Sequence, residues 1–152
     1  MANIDFNDQW SVLKAFFQSA SAANVAALSP RPTVYRDDEE QMEDMLPVIA
    51  IGLSGSSQDR DKAGGANRHQ QFGTRFHLYL AAKGPNVATT NTSCLAIVSA
   101  IANDLAGAGA FVGTDRTKLY SAVMDSWDWD PATHDSLVAQ AFLDITAIFF
   151  RV

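Results

Sequence analysis

Residues 46–53 read Leu46-Pro47-Val48-Ile49-Ala50-Ile51-Gly52-Leu53, and residues 75–80 read Arg75-Phe76-His77-Leu78-Tyr79-Leu80. The first is a short, β-branched apolar run, the pattern of a buried strand. Pro47 cannot donate to a ladder, so it belongs at the strand's start or on a sheet edge. The second alternates, with Phe76, Leu78 and Leu80 on one side and Arg75, His77 and Tyr79 on the other. That predicts a half-buried strand with one wet or interface-facing side. Between them, residues 54–73 are polar and glycine-rich (Gly55, Gly64, Gly65) with no apolar pattern. The two strands are expected to form an antiparallel hairpin around a long flexible loop, and loops of that length are usually functional or disordered.

Toward the N-terminus, Thr33-Val34-Tyr35-Arg36 is a short β-prone run. Before it, Phe6, Trp10, Leu13 and Phe17 fall on one helical face, with Asp5 or Asn7 able to cap the start. An Ala/Ser-rich stretch over 19–28 can prolong this helix until Pro30 and Pro32 end it. Toward the C-terminus, Gly84-Pro85-Asn86 makes a turn. A second helix is expected over Thr89–Ala106, with Leu95, Val98, Ile101 or Ala102, and Leu105 on its buried face, caps at Thr90, Asn91 or Thr92, and Gly107 as its stop. Lys118–Met124 reads as a strand, Asp125–Asp135 as a polar stretch holding Trp127 and Trp129, and Leu137–Arg151 as a long final strand. The sum is an α+β fold: a mixed, mainly antiparallel sheet packed against two main helices, in a single domain over 1–152.

Composition bounds the function. With 152 residues, 47% apolar and 18% charged, the chain suits one packed globule. A net charge of −6 argues against sequence-independent binding to DNA or acidic membranes. Cys94 is the sole cysteine, which excludes an internal disulfide or a multi-thiolate zinc site. No run of about 18 apolar residues is present to cross a bilayer. Met1 to Gln9 carries two aspartates and no basic n-region, so a secretory signal is not expected. The expectation is a soluble, intracellular protein.

No catalytic constellation is expected. His69, His77 and His134 sit in three different elements without zinc-ligand spacing. Cys94 reads as a small buried thiol. Ser54-Gly55-Ser56 lacks the G-x-S-x-G elbow, and Ala63-Gly64-Gly65-Ala66-Asn67 lacks the lysine of a P-loop. The tract Asp37-Asp38-Glu39-Glu40-Gln41-Met42-Glu43-Asp44 places six carboxylates in eight residues, without calcium-loop spacing. Residues 58–77 carry Arg60, Lys62, Arg68 and Arg75 against Asp59 and Asp61. Two oppositely charged segments suit head-to-tail self-association, so they are expected on opposite sides of the subunit, meeting across a ring interface. Tyr79, Trp127, Trp129 and one face of the final strand would supply its apolar contact. The expected interface set is therefore Asp37, Asp38, Glu39, Glu40, Arg60, Lys62, Arg68, Arg75, Tyr79, Trp127 and Trp129.

The order of elements resembles that of the tail terminator proteins of long-tailed bacteriophages, the lambda minor tail protein U type and its relatives. It rests on the N-terminal helix, Val34-Tyr35 leading into Leu46–Ile51, the polar hairpin loop, the returning strand Arg75–Leu80, the helix Cys94–Leu105, and a closing strand Ala141–Phe150 ending in an aromatic pair and an arginine. The 19–28 stretch and the Trp127–Trp129 segment have no counterpart in it. The resemblance implies a homo-hexameric ring, without enzymatic activity, metal or cofactor, that caps the tail tube and joins it to the head-side connector. The implied partners are further copies, the tail tube protein, the connector or neck protein and, in contractile tails, the sheath. Genomic DNA would pass through the lumen without specific binding, and no membrane is involved. The implied location is the virion tail or neck, after assembly in the host cytoplasm. A head-completion or neck connector protein is the alternative, and a small-ligand-binding or enzymatic α+β domain a third reading.

Overall fold

The computed structural model describes residues 5–39, 46–58, 70–106 and 117–151. Helix α1 (Phe6–Gln18) starts at Asp5, whose carboxylate accepts the Asp8 amide. Its buried face is Val12, Leu13, Phe16 and Phe17, so the apolar stripe is rotated from the expected one and Phe6 is exposed. The helix does not continue through 19–28. It ends at Gln18, where the Ser19 hydroxyl and amide both donate to the Phe16 carbonyl. A separate turn, α2 (Ala23–Ala26), follows. The buried carboxylate of Asp104 holds it: Oδ1 accepts from the Asn24 amide at 2.9 Å and Oδ2 from the Val25 amide at 2.9 Å.

Among the described residues, five strands follow: β1 (Thr33–Arg36), β2 (Val48–Gln58), β3 (Gln70–Lys83), and, after helix α3 (Val87–Ala106), β4 (Thr117–Asp130) and β5 (Val138–Arg151). They form one sheet in the order β1-β2-β3-β5-β4, with β1 and β2 parallel and every other pair antiparallel. The expected α+β class and the expected hairpin are present. The hairpin ladder is longer than expected, because 54–58 and 72–74 join it, up to Gln58 opposite Phe72. Residues 59–69, the rest of the expected loop, lie outside the described residues.

A second correction concerns 125–130, which is strand rather than irregular. Its polar side chains are tolerated because β4 is an edge strand and cross-strand partners take them up. The Thr146 hydroxyl donates to Asp125 at 2.6 Å, and the Ser126 hydroxyl donates to Asp144 at 3.2 Å. Two bulges, between Leu119 and Ser121 and between Met124 and Ser126, keep the strand in register with β5.

Helices α1, α2 and α3 cover one sheet face. Ile49, Ile51, Phe76, Leu78, Leu80, Leu143, Ile145 and Phe149 point into this layer. Helix α3 meets them with Cys94, Ile97, Val98, Ile101 and Leu105, while Leu95 is only half-buried. The helix begins two residues before its expected start, with the Asn86 side chain accepting the Thr89 amide at 2.8 Å. Helix α1 is tied to the β1–β2 edge by Trp10, whose indole N–H donates to the Ile51 carbonyl at 2.8 Å. The Arg36 guanidinium stacks 3.9 Å from the Trp10 ring centre.

Candidate functional site

The other sheet face carries no helix among the described residues, and it is where the chemistry collects. Strand alternation sends Thr33, Tyr35 and Asp37 to this side of the β1 edge, and Val48, Ala50 and Gly52 to this side of β2. Arg75, His77 and Tyr79 line it on β3, and Phe142, Asp144 and Thr146 on β5. One half is apolar: Tyr35, Val48, Ala50 and Ala81 pack with Leu46, Tyr79 and Val138. Tyr79 and Phe142 stand with ring centres 5.6 Å apart, and Phe142 remains 49% exposed. Burial raises the pKa of both Tyr35 and Tyr79.

The other half is polar. Asp37, Ser54 and His77 come from three places in the sequence and meet here. The Asp37 carboxylate lies 3.2 Å from His77 Nε2, and Ser54 Oγ lies 2.9 Å from Nδ1. Gly52 makes the meeting possible, since a Cβ at that position would overlap the His77 ring and the Asp37 carboxylate. Ser54 is the extra residue of a bulge, with Leu53 opposite Phe76 and Gly55 opposite Arg75. The Arg75 guanidinium then lies over Gly55, 3.0 Å from where a Cβ would be.

In the sequence His77 and Ser54 stand as isolated residues, and no motif in it marks their convergence. The signal available was the pair of glycines, Gly52 and Gly55, flanking a serine inside a strand.

The expected charge pairing between subunits meets a different arrangement. Within the chain, Asp38 pairs with Arg36 at 2.8 Å and Glu39 with Lys14 at 2.7 Å. The hydrogen bond from Lys14, followed by the Arg36 amide, lowers the Glu39 pKa. Asp37 and Arg75 lie on the same face, two β3 residues apart through His77, not on opposite sides of the subunit. Glu40, Arg60, Lys62, Arg68 and His69 lie outside the described residues.

The apolar candidates divide as well. Trp129 packs against the core, whereas Trp127 is 45% exposed and Val123, also on β4, is 58% exposed. Cys94 is fully buried and burial raises its thiol pKa, which suits a packing role. His134 is exposed in the β4–β5 connection. Among the described residues, no three His, Cys, Asp or Glu side chains converge as a metal site. No described helix is long and apolar enough to cross a membrane.

No protein-family profile and no curated protein sequence matches this chain. Its fold is similar to that of a chain in the virion of the native gene transfer agent (GTA) particle, with a TM-score of 0.52 at 14% identity. The likeness covers 92% of this chain and 96% of that one.

Proposed function

We propose that this chain is a structural virion protein, a tail terminator that forms a homo-hexameric ring, caps the tail tube and meets the head-side connector. The observation that carries the reading is the fold likeness to a virion chain over nearly the whole of both chains. The order of elements, which resembles that of the tail terminators, supports the finer role.

The surface suits assembly. β4 is a long edge strand, a natural template for continued pairing. Val123 and Trp127 on β4 and Phe142 on β5 are large apolar side chains left at 45–58% exposure in the isolated subunit. A head-to-tail contact through this edge closes into a ring when its rotation permits. The net charge of −6 favours passage of DNA through the lumen over its capture.

Native mass spectrometry and electron microscopy of the purified protein, alone and with tail tubes, test the proposal. Rings of six 16.4 kDa subunits seated at tube ends are expected. A chain that stays monomeric in the presence of tubes and leaves their ends uncapped would overturn it.

A further inference from the structure

We propose that Ser54, hydrogen-bonded to His77 and through it to Asp37, is an activated nucleophile that reacts with small, unhindered esters. This goes beyond the assembly role and does not depend on it.

The hydrogen-bond inventory sets the direction of the relay. A carboxylate only accepts, so the contact with Asp37 places the imidazole proton of neutral His77 on Nε2. Nδ1 is then an acceptor, and the Ser54 hydroxyl must be its donor. Base and nucleophile are thus already in contact at 2.9 Å, with the base oriented by a third group. The geometry is built, not incidental. Strand alternation carries Ser54 to the helix-free face with Ala50 and Gly52, the bulge leaves it unpaired in the ladder beside His77, and Gly52 clears the space that the ring fills. Asp144, opposite His77 in the ladder, is occupied by Ser126. Asp37 is therefore the carboxylate that orients the ring.

The reaction follows from these contacts. Ser54 Oγ forms a bond to the acyl carbon while its proton moves to His77 Nδ1, and Asp37 stabilises the resulting imidazolium at Nε2. Negative charge developing on the carbonyl oxygen would face the Arg75 guanidinium, which lies over the adjacent Gly55. The ester C–O bond breaks and the leaving oxygen departs, either taking the imidazolium proton as an alcohol or, for a weakly basic leaving group such as p-nitrophenolate, leaving as the anion while His77 releases its proton to solvent. Water then attacks the acyl-serine with His77 as base, releasing the carboxylic acid and restoring Ser54. The side chains of His77 and Asp37 are 51% and 44% exposed, so the site is a shelf and admits substrates without a bulky acyl group.

The test uses the full chain with p-nitrophenyl acetate. A burst of one p-nitrophenolate per chain is expected, with acetyl found on the peptide containing Ser54. Ser54→Ala should abolish both, His77→Ala should slow the burst about 100-fold, and Ser126→Ala should leave it unchanged. Asp37→Asn supplies a readout that packing alone does not move. Its amide can donate to Nε2, which puts the imidazole proton on Nδ1 and removes the acceptor that Ser54 needs. That variant should retain its fold by circular dichroism and lose the burst. Acetylation confined to lysines or tyrosines, or a burst that survives Ser54→Ala, would overturn the proposal.

Discussion

The imidazole of His77 lies directly over Gly52, so that the hydrogen of a glycine occupies the place where any other side chain would collide with the ring. The ring belongs to β3 and the glycine to β2, and they are partners in the ladder. Gly52→Ala would push a half-exposed side chain outward with little cost to the core. The expected result is a small change in stability, about 1 kcal/mol or less from the lost hydrogen bonds. Ser54 acetylation should nevertheless vanish. Urea melts beside the p-nitrophenyl acetate burst separate the two effects, and a burst of wild-type size in this variant would contradict the assigned geometry.

Helix α3 gives a paired test of packing. Ile101 is fully buried against the sheet, whereas Leu95 is half-buried. Ile101→Ala should destabilise by about 2–5 kcal/mol and Leu95→Ala by clearly less. Equal losses in urea melts would mean that the helix is rotated from the position described.

Asp104 is a buried carboxylate with three donors, the Asn24 and Val25 amides and the Asn24 side chain. Replacing it with alanine leaves backbone donors of α2 without a partner, at about 1–3 kcal/mol for each one that stays buried. Amide hydrogen exchange at residues 24–26 should accelerate in Asp104→Ala before the rest of the molecule is affected. Unchanged protection there would show that water replaces the carboxylate without loss.

Stability should fall in alkali. Burial raises Tyr35 and Tyr79 above their ordinary value of 10.0 and Cys94 above 9.0. The unfolded chain therefore releases these protons first, and the folded chain holds more of them. By linkage, stability declines as pH rises past about 9 and continues to decline until the folded groups titrate. Tyr35→Phe with Tyr79→Phe should flatten the slope above pH 10, measured as the urea midpoint against pH. At the acid end Glu39, held below its ordinary 4.5, contributes stability that is present above that value and lost as pH falls through its folded pKa. Glu39 is 42% exposed, so this second effect should be small and weakened by salt.

The ring reading makes its own prediction. Val123→Lys with Trp127→Ser alters only exposed β4 side chains, so the monomer's stability should stay within about 0.5 kcal/mol per site. Ring formation should be lost in native mass spectra. Intact rings in this variant would remove the β4 edge from the interface and leave the terminator role to be carried by another surface.

Much of the architecture was legible because its signals are local. The alternation of Phe76, Leu78 and Leu80 and the apolar run at 48–51 mark strands within a few residues, and both are found where expected. Sequence and structure part where the local signal is weak. The 125–130 segment is polar and reads as irregular, yet β5 offers it a full set of backbone partners. The alanine-rich 19–28 stretch has high helix propensity, but the Ser19 cap and the distant Asp104 carboxylate divide it into two pieces.

The strands at 48–51 and 76–80, and the apolar side of the second, are written in neighbouring residues, since periods of 2 and 3.6 are local properties. Which polar residues meet is set by how the strands pair in three dimensions. Asp37, Ser54 and His77 lie on or beside three strands, with His77 40 residues from Asp37 and 23 from Ser54. Their contact depends on the parallel register of β1 on β2, the antiparallel register of β2 on β3 and the bulge at Ser54. Alternation leaves a strand free to slide by two residues without changing its buried face, so it cannot specify that register. The packing of α1 and α3 across all five strands specifies it, and with it the site.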